Sequence, residues 1–570
     1  MKRLKDFKSN IRNHLSDIRI LKSIYDRFKL RFIAYKKAEI FFKINKKPLE
    51  SILAENKTGK RILFATSMGS ELVAWRLEVL LGLAMSKRGH HIEYAINDGI
   101  LTACQDCTYK KYEKDMAEVF KSQYFTHKCN TCFNESTKIF KKFNIKVNGF
   151  SDGLGIQEYE EIDKLCSSIK TEDIKKYTWN NVSVGEHALA GTLRFFAKAT
   201  LEDEPTGEIM LKSYFRAALI TTFSFKNILS KREIDIVVLH HGIYVPQGLI
   251  CSLANEMGVK VVTWNIAYRK NRFIFSHTDT YHHTLISESV SKWKNIKWTN
   301  NKNEELLNYL KGRWYGDDDW INFNQENPQS SKKKVLQELG LDRNKPCIAL
   351  LTNVLWDAQL HYPANAFENM LEWIFTTIEF FTTRKDIQLV IRVHPAEISG
   401  RIKSRQRVAD EIFKKFKKLP SNIKIIKPLD SISSYDLVSV SNTALIFGTK
   451  MGVELTASGI PVIVAGEAWI RGKGLTDDAN NKEDYIEKLN QLPITSEPNN
   501  TQTLNAKKYA YHFFFRRMIP LLSVKEAVGW PPFDIKLKNL DELEPGHDPG
   551  LDVICDGIVS GSDFIFDAND

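Results

Sequence analysis

Four cysteines of this chain form two Cys-x-x-Cys pairs, Cys104 with Cys107 and Cys129 with Cys132, and twenty-one residues separate the pairs. Each such turn presents two sulfurs to one ion, and two turns supply the tetrahedral thiolate set that Zn²⁺ prefers. Four sulfurs leave no position open for water, so the pattern predicts a structural zinc site. Two local disulfides or four unconnected thiols are the alternatives, and both are disfavoured in a reducing cytoplasm.

A second group of reactive side chains is Arg392-Val-His394-Pro395, directly after a predicted strand. Arg392 is a fixed cation, His394 can donate to a phosphoryl oxygen, and Pro395 forces a sharp exit from the strand. A capped strand end with a surface histidine is the alternative. Because the arginine and the histidine fall together at a predicted crevice, we favour a phosphate-binding role.

A third segment, 442–462, places glycines where a strand should pass into a helix. Gly448 and Gly452 let a ligand approach the backbone, and Thr449 can cap a helix whose free N–H groups point at an anion. Glu454, one turn into that helix, is placed to accept hydrogen bonds from vicinal hydroxyls such as those of ribose. Its alternative role is an acid stabilised by the helix dipole.

Other strand ends supply further candidates. In the loop after residue 351, Asn353 and Asp357 could orient a ligand and Trp356 could stack on a base or sugar. A buried tryptophan with a capping aspartate is the equal alternative. The candidates for neutralising the charge of a phosphate are Arg392, His394, Lys450 and Arg471. The candidates for a general base are His187, Glu186, Asp98 and His241.

The elements that must position these residues are two series of short apolar runs alternating with helical patterns, as in parallel α/β units. Strands are predicted at 61–66, 91–95, 234–239 and 259–264 in the first series, with a helix over 70–88. The second series has strands at 346–351, 387–392, 423–426, 443–447 and 461–464. Two Rossmann-like halves of this kind leave a ligand cleft between the carboxyl ends of their sheets.

The predicted domain order follows from these series. Residues 1–57 form a basic amphipathic helical extension, 58–274 a first Rossmann-like domain with the zinc insertion near 100–135, and 275–340 a connecting region. Residues 341–495 form a second Rossmann-like domain, 496–535 a helix that returns to the first domain, and 536–570 an acidic tail. A polar stretch at 322–333 is the best linker candidate. The run Asp317-Asp-Asp319 reads as a solvated loop, and the Pro- and Gly-punctuated tail as loosely ordered.

Glu454 and Gly459-Ile-Pro461-Val462 resemble the nucleotide-sugar site of GT-B glycosyltransferases, where a glutamate binds the donor's ribose. The Arg392-Val-His394-Pro395 element looks like that of capsule polysaccharide biosynthesis glycosyltransferases, including Kdo- and sialic-acid-transferring members, in which it contacts the donor nucleotide and phosphate. The resemblance implies an α/β GT-B fold, a nucleotide-sugar donor and no catalytic metal. It also implies that 58–274 is the acceptor domain and 341–495 the nucleotide-sugar domain. The common retaining GT-B enzymes carry a further glutamate where this chain has Ile446, so the stereochemical outcome is left open.

The net charge of +12, from 81 Lys and Arg against 69 Asp and Glu, is unevenly placed. Residues 1–50 hold fifteen basic and five acidic residues, whereas 541–570 hold nine acidic and no basic ones. An apolar stripe in the basic segment suits attachment to an anionic bilayer, although packing on its own domain is an equal alternative. With no predicted membrane span or signal peptide, we expect a cytoplasmic protein on the inner face of the inner membrane.

The leading hypothesis is therefore a glycosyltransferase that extends a lipid-linked bacterial surface polysaccharide, either a capsule or a lipopolysaccharide. A teichoic-acid-type polyol-phosphate transferase and a sugar-nucleotide epimerase share the same plan. The alternatives without catalysis are an inactive assembly scaffold and a zinc-ribbon protein that binds nucleic acid. Nucleic acid is disfavoured because the lysines of residues 104–132 are offset by acidic neighbours.

Overall fold

The computed structural model describes residues 57–123, 130–142, 145–315, 319–320, 331–357, 362–494 and 498–567. The predicted basic helix within residues 1–50, the fourth predicted zinc ligand Cys129, and most of the predicted linker lie outside the described residues.

The N-terminal half is a sheet covered by helices on both faces. Its strands are β1 Arg61–Ser67, β2 His91–Ile96, β3 Val147–Gly149, β4 Ile236–His240, β5 Lys260–Ile266 and β6 Arg272–His277. Its helices are α1 Leu72–Lys87, α2 Tyr109–Tyr112, α3 Met116–Ser122, α4 Asn130–Lys142, α5 Ile156–Ser168, α6 Thr171–Ile174, α7 Val184–Phe196, α8 Gly207–Arg232 and α9 Gln247–Glu256.

These strands lie in the order β3-β2-β1-β4-β5-β6, parallel except for β6. This is the doubly wound order, which reverses direction between β1 and β4. Because successive side chains of a strand point to opposite faces of the sheet, β1 contributes residues to two cores. Leu63 and Ala65 pack on the face that α8 covers, while Ile62 and Phe64 pack on the face that α1 covers.

The connecting helices are α10 Tyr281–Ser287, α11 Ser291–Lys294, α12 Asn300–Tyr315 and α13 Lys332–Leu339. The C-terminal half then contributes the strands β7 Cys347–Leu351, β8 Gln388–Arg392, β9 Ile423–Ile426, β10 Thr443–Ile446, β11 Val462–Val464 and β12 Asp477–Asp478. Its helices are α14 Met370–Thr383, α15 Ala396–Ser399, α16 Val408–Lys415, α17 Ser434–Ser439, α18 Met451–Ala457 and α19 Lys482–Asn490.

The second sheet has the order β9-β8-β7-β10-β11-β12, and all of its strands are parallel. Numbered from β7, this is the same order as in the first half, with the reversal between β7 and β10. The α/β prediction with two mainly parallel sheets is thus confirmed. Parallel strands buried on both faces read as continuous apolar runs, such as the fully buried Cys347–Leu351, and this explains why the sequence located them.

The chain returns to the first half after α20 Asn500–Tyr511 and a π-helical turn at His512–Arg516. The helix predicted to return to the first half within 496–535 therefore ends early, and β13 Ile519–Pro520 makes the return by pairing antiparallel with β6. A hairpin of β14 Val524–Glu526 and β15 Phe533–Ile535 follows.

The prediction of a loosely ordered acidic tail is wrong for the described part of it. Helix α21 Pro549–Ser560 buries Leu551, Ile554, Cys555 and Ile558 against the first sheet's core. These residues recur at intervals of three, four and seven, which makes one apolar stripe. Acidic residues on the other faces gave the segment its charge and concealed the stripe. One of them, Asp552, pairs with Arg88 of the first half at 2.5 Å.

The prediction that the aspartates at 317–319 form a solvated loop is also wrong at Asp319, whose side chain is buried in a residue that is 8% exposed. Asp319 is paired with Arg313, which also lies 3.1 Å from the Glu454 carboxylate through its Nε atom. Tyr309 donates to Asp319 at 2.9 Å. Burial raises the pKa of Asp319, and the Arg313 guanidinium opposes that rise. A buried ionic network therefore fastens the connecting region to the second half.

Replacing Ile554 by alanine should lower the free energy of unfolding by about 2–5 kcal/mol, because it removes a fully buried side chain from the first half's core. Urea unfolding monitored by circular dichroism measures this loss. Asp556→Ala, on the exposed face of the same helix, is the matched control and should change stability by about 0.5 kcal/mol or less. Equal stability of the two variants would show that α21 is not part of the core.

Arg313→Met should cost about 3–5 kcal/mol, because it leaves Asp319 and Glu454 buried without their shared cation. Lys311→Met alters an exposed lysine of the same helix and should unfold like the parent protein. Adding Glu454→Gln to Arg313→Met should recover part of the loss, since one uncompensated charge is removed. No recovery in the double variant would rule out charge pairing as the source of the stability.

Candidate functional site

A cleft of about 620 Å³ lies between the carboxyl ends of the two sheets. Residues from both reversal points line it: His240 and His241 at the end of β4, Asn353 after β7, and Gly448 and Thr449 after β10. At a reversal, the helices on either side of the strands diverge to opposite faces, and a crevice is left open. The strand order thus explains why the cleft is here.

The second half brings together several of the predicted donor residues. Arg392, His394, Asn353 and Thr449 all line the cleft. The guanidinium of Arg392 donates to the carbonyl of Lys427, and its Nε atom is buried without a hydrogen-bond partner. Burial lowers the pKa of Arg392 to about 10, which leaves it cationic at neutral pH.

His394 is held by its backbone N–H, which donates to Thr352 Oγ1 at 3.0 Å. Its Nδ1 atom accepts the N–H of Ala396 at 3.0 Å. Burial and the nearby Arg392 lower the pKa of His394 to about 4, so the ring is neutral. A neutral ring that accepts at Nδ1 carries its hydrogen on Nε2 and is a donor there. Arg392 and His394 together offer a cation and a neutral donor, which suits the oxygens of a phosphate.

Gly448, Lys450, Trp356 and Asp357 also line the cleft, whereas the predicted donor residues Gly452, Glu454 and Arg471 do not. A Cβ atom on Gly452 would lie 2.6 Å from Ile446 Cδ1 and 2.8 Å from Ile470 Cγ2, so this glycine permits close packing of α18. Arg471 is buried and donates to the carbonyl of Ala479 at 2.8 Å, which fixes the loop after β11.

Glu454 is 4% exposed and lies just behind the cleft. Besides Arg313, it accepts a hydrogen bond from the hydroxyl of Tyr435 at 2.7 Å and lies 3.4 Å from Lys450 Nζ. Lys450 does line the cleft, and its Nζ stands 4.6 Å above the ring of Tyr268. The carboxylate thus orients a lysine that faces the cleft.

Among the four candidate bases, only His241 lines the cleft. Burial and His240 lower its pKa well below the usual value, so the ring is neutral. His241 Nδ1 accepts the N–H of Ile243 at 3.3 Å, and Nε2 lies 2.7 Å from the side-chain amide of Gln105. Gln105 stands between Cys104 and Cys107 in the chain, so the cysteine turn delivers a polar side chain to the cleft.

The remaining candidates hold parts of the first half. His187 donates from Nδ1 to the carbonyl of Ile243 at 2.6 Å and supports the loop after β4 from behind. Asp98 accepts hydrogen bonds from Ser151. Glu186 is half-buried on α7, away from the cleft.

Two carboxylates that line the cleft, Glu71 and Glu467, were not predicted from the sequence. Glu71, in the loop between β1 and α1, is 9% exposed, and burial raises its pKa while Arg401, 3.8 Å away, opposes the rise. Glu467 follows β11 and lies 3.4 Å from His283 Nε2. Burial opposes protonation of His283, but Asp279 and Glu467 outweigh it and raise its pKa to about 10. The sequence could have indicated Glu71 by its position directly after Ser67-Met-Gly69-Ser70, a short segment between the first predicted strand and its helix.

Cys104 and Cys107, two of the predicted zinc ligands, flank Gln105, which lines the cleft. Cys104 Sγ and Cys107 Sγ are 3.8 Å apart, and Cys132 Sγ accepts the backbone N–H of Ser70 at 2.9 Å. Both Cys104 and Cys107 are buried, and burial raises the pKa of Cys132 to about 12. Within the described part of the chain, which omits Cys129, no three His, Cys, Asp or Glu side chains are grouped to hold a metal ion.

No helix in the described ranges is long and apolar enough to cross a membrane.

Comparison with solved structures gives matches at low identity. The beta Kdo 2,4 transferase KpsC of Thermosulfurimonas dismutans is 14% identical, covering 49% of this chain and 80% of its own, with a TM-score of 0.33. The beta Kdo 2,7 transferase KpsC of the same organism is 15% identical, covering 56% and 88%, with a TM-score of 0.31. The UDP-GlcNAc 2-epimerase of Neisseria meningitidis is 11% identical, covering 79% and 98%, with a TM-score of 0.24.

A search of curated proteins found no match. The family model described as "Capsule polysaccharide biosynthesis protein" matches residues 297–514. This stretch contains the connecting helix α12, the whole second sheet and the predicted donor residues that line the cleft. The predicted resemblance to the capsule polysaccharide biosynthesis family is therefore confirmed over residues 297–514.

Proposed function

We propose that this protein is a GT-B glycosyltransferase that moves a sugar from a nucleotide-sugar donor to a growing bacterial surface polysaccharide. The observation that carries the proposal is the placement of Arg392 and His394 in the cleft, at the carboxyl end of β8. Breaking the bond between a sugar and a phosphate leaves negative charge on the phosphate oxygens. A fixed cation and a preoriented N–H donor stabilise that charge without reorganisation.

The reversal point of the second sheet, between β7 and β10, supplies the rest of the donor site. Asn353 and Thr449 approach from β7 and β10, and Lys450 adds a second cation. The side-chain oxygen of Asn353 accepts the N–H of Val354 at 2.9 Å, and this bond fixes the orientation of its amide. The first half would then bind the acceptor, facing the donor across the cleft. No catalytic metal is needed in this scheme, because side chains supply the positive charge.

The acceptor in this proposal is lipid-linked, and residues 1–50 bind the anionic inner face of the bacterial inner membrane. Their ten excess positive charges and apolar stripe support that role.

A nucleotide or nucleotide sugar bound at the second reversal point should raise the melting temperature, by mass action, when ligand exceeds its Kd. CMP, UDP, GDP and their sugars are the compounds to compare in a thermal-shift assay. His394→Ala should remove most of the shift and most transfer activity, because the phosphate loses its neutral donor. His547→Ala, an exposed histidine outside the cleft, is the matched control and should behave like the parent.

A parent protein that no nucleotide stabilises would count against the proposal. So would a His394→Ala variant that keeps the full shift and full transfer activity.

We further propose that Cys104, Cys107 and Cys132, with Cys129, bind a structural zinc ion. The chemistry fits, since thiolates about 2.3 Å from a tetrahedral zinc ion are separated by about 3.8 Å. The Sγ atoms of Cys104 and Cys107 have that separation. Bound zinc would hold these sulfurs as thiolates and fix Gln105 beside His241.

Protein purified without chelator should contain about one zinc per chain by elemental analysis. Cys107→Ser should lose most of this zinc and lower the melting temperature, because a closed site contributes directly to folding. Cys166 is half-buried and is not one of the proposed ligands, so the Cys166→Ser variant should retain the zinc. Parent protein that refolds fully in zinc-free buffer and binds no added zinc would contradict the site.

A further inference from the structure

The hairpin formed by β14 and β15 reaches the cleft with its tip. Trp530, in the connection between the two strands, lines the cleft and is 45% exposed. The strands themselves are well fixed, because Phe533 is fully buried against Phe273 with ring centroids 5.1 Å apart. Asp534 also pairs with Arg76 of the first half at 2.7 Å. The hairpin therefore presents an indole ring on a rigid support.

One charged side chain contacts this ring, and a second, from the opposite half of the molecule, lies beside the first. Arg401, from the second half, has its guanidinium carbon 5.1 Å from the centre of the Trp530 ring. The same arginine lies 3.8 Å from Glu71, which follows the first strand of the first half. All three residues line the cleft. An exposed aromatic face is thus combined with one donor group and one acceptor group.

We infer that Trp530, Arg401 and Glu71 form the binding subsite for the acceptor saccharide. One face of a pyranose ring consists of C–H groups, and such a face stacks on an indole. The hydroxyls at the ring's edge need directional partners, which a guanidinium and a carboxylate supply. The description of this saccharide as the acceptor rests on the proposed function.

A purely structural role does not account for Trp530. Fixing of the hairpin depends on Phe533, Val524 and the Asp534 pair, while almost half of the indole remains in contact with solvent. The cation–π contact with Arg401 is worth little at an exposed site, about 0.5–1 kcal/mol. The side chain instead lines the cleft, on a segment that follows the family-matched region.

Saturation-transfer difference NMR on the full chain, with the donor nucleotide present, tests the subsite. The probes are the methyl glycosides of galactose, N-acetylglucosamine and glucuronic acid. At least one should give signals from its ring protons, and Trp530→Ala should weaken its binding about tenfold. Trp530→Phe should restore much of the binding, because the aromatic face is kept.

Val528→Ala is the matched control, since Val528 is fully exposed two residues away on the same connection and does not line the cleft. Unchanged binding in Trp530→Ala, or no signal from any probe while nucleotide still binds, would overturn the subsite alone. Saccharide binding that depends on Trp530 in a protein that binds no nucleotide would overturn the proposed function and leave the subsite standing.

Discussion

The reversal of strand order in each sheet is the constraint on which the rest of this molecule depends. Between β1 and β4, and again between β7 and β10, neighbouring strands send their helices to opposite faces. The backbone at those two places cannot be covered by either helix, so it is open to a ligand. Because the two sheets share one order and face each other, the two openings form one cleft. His241 and Thr449 reach it from opposite sheets.

The halves are held together differently inside and outside the cleft. At the cleft, Tyr244 donates to Asp357 at 2.8 Å. Outside the cleft, Arg405 pairs with Glu204 at 2.7 Å, and the chain crosses back after α20 and adds β13 to the first sheet. The returning segment thus adds backbone pairing to the side-chain contacts between the halves, and it also carries the hairpin with Trp530.

The sequence predicted the strands well because parallel strands buried on both faces leave uninterrupted apolar runs between turn residues. It also placed Arg392 and His394 at a strand end that faces the cleft. It could not distinguish His241 from His187. Only tertiary packing shows that His241 lines the cleft, whereas His187 supports the loop after β4 from behind. Composition gave a wrong prediction at the C-terminus, because the acidic residues of α21 concealed its apolar stripe. It also gave a wrong prediction at Asp319, because its partner Arg313 lies on the preceding helix α12.

The contacts of Glu454 bear on the ribose-binding role that the resemblance to the GT-B site implies for it. Its carboxylate oxygens already engage Tyr435, Arg313 and Lys450, and the group is 4% exposed. A ribose hydroxyl would have to replace one of these partners, at the cost of leaving a buried cation or hydroxyl unsatisfied. Orienting Lys450 toward the cleft requires no such exchange. The geometry therefore favours a positioning role for Glu454, through a lysine that adds to the positive charge supplied by Arg392.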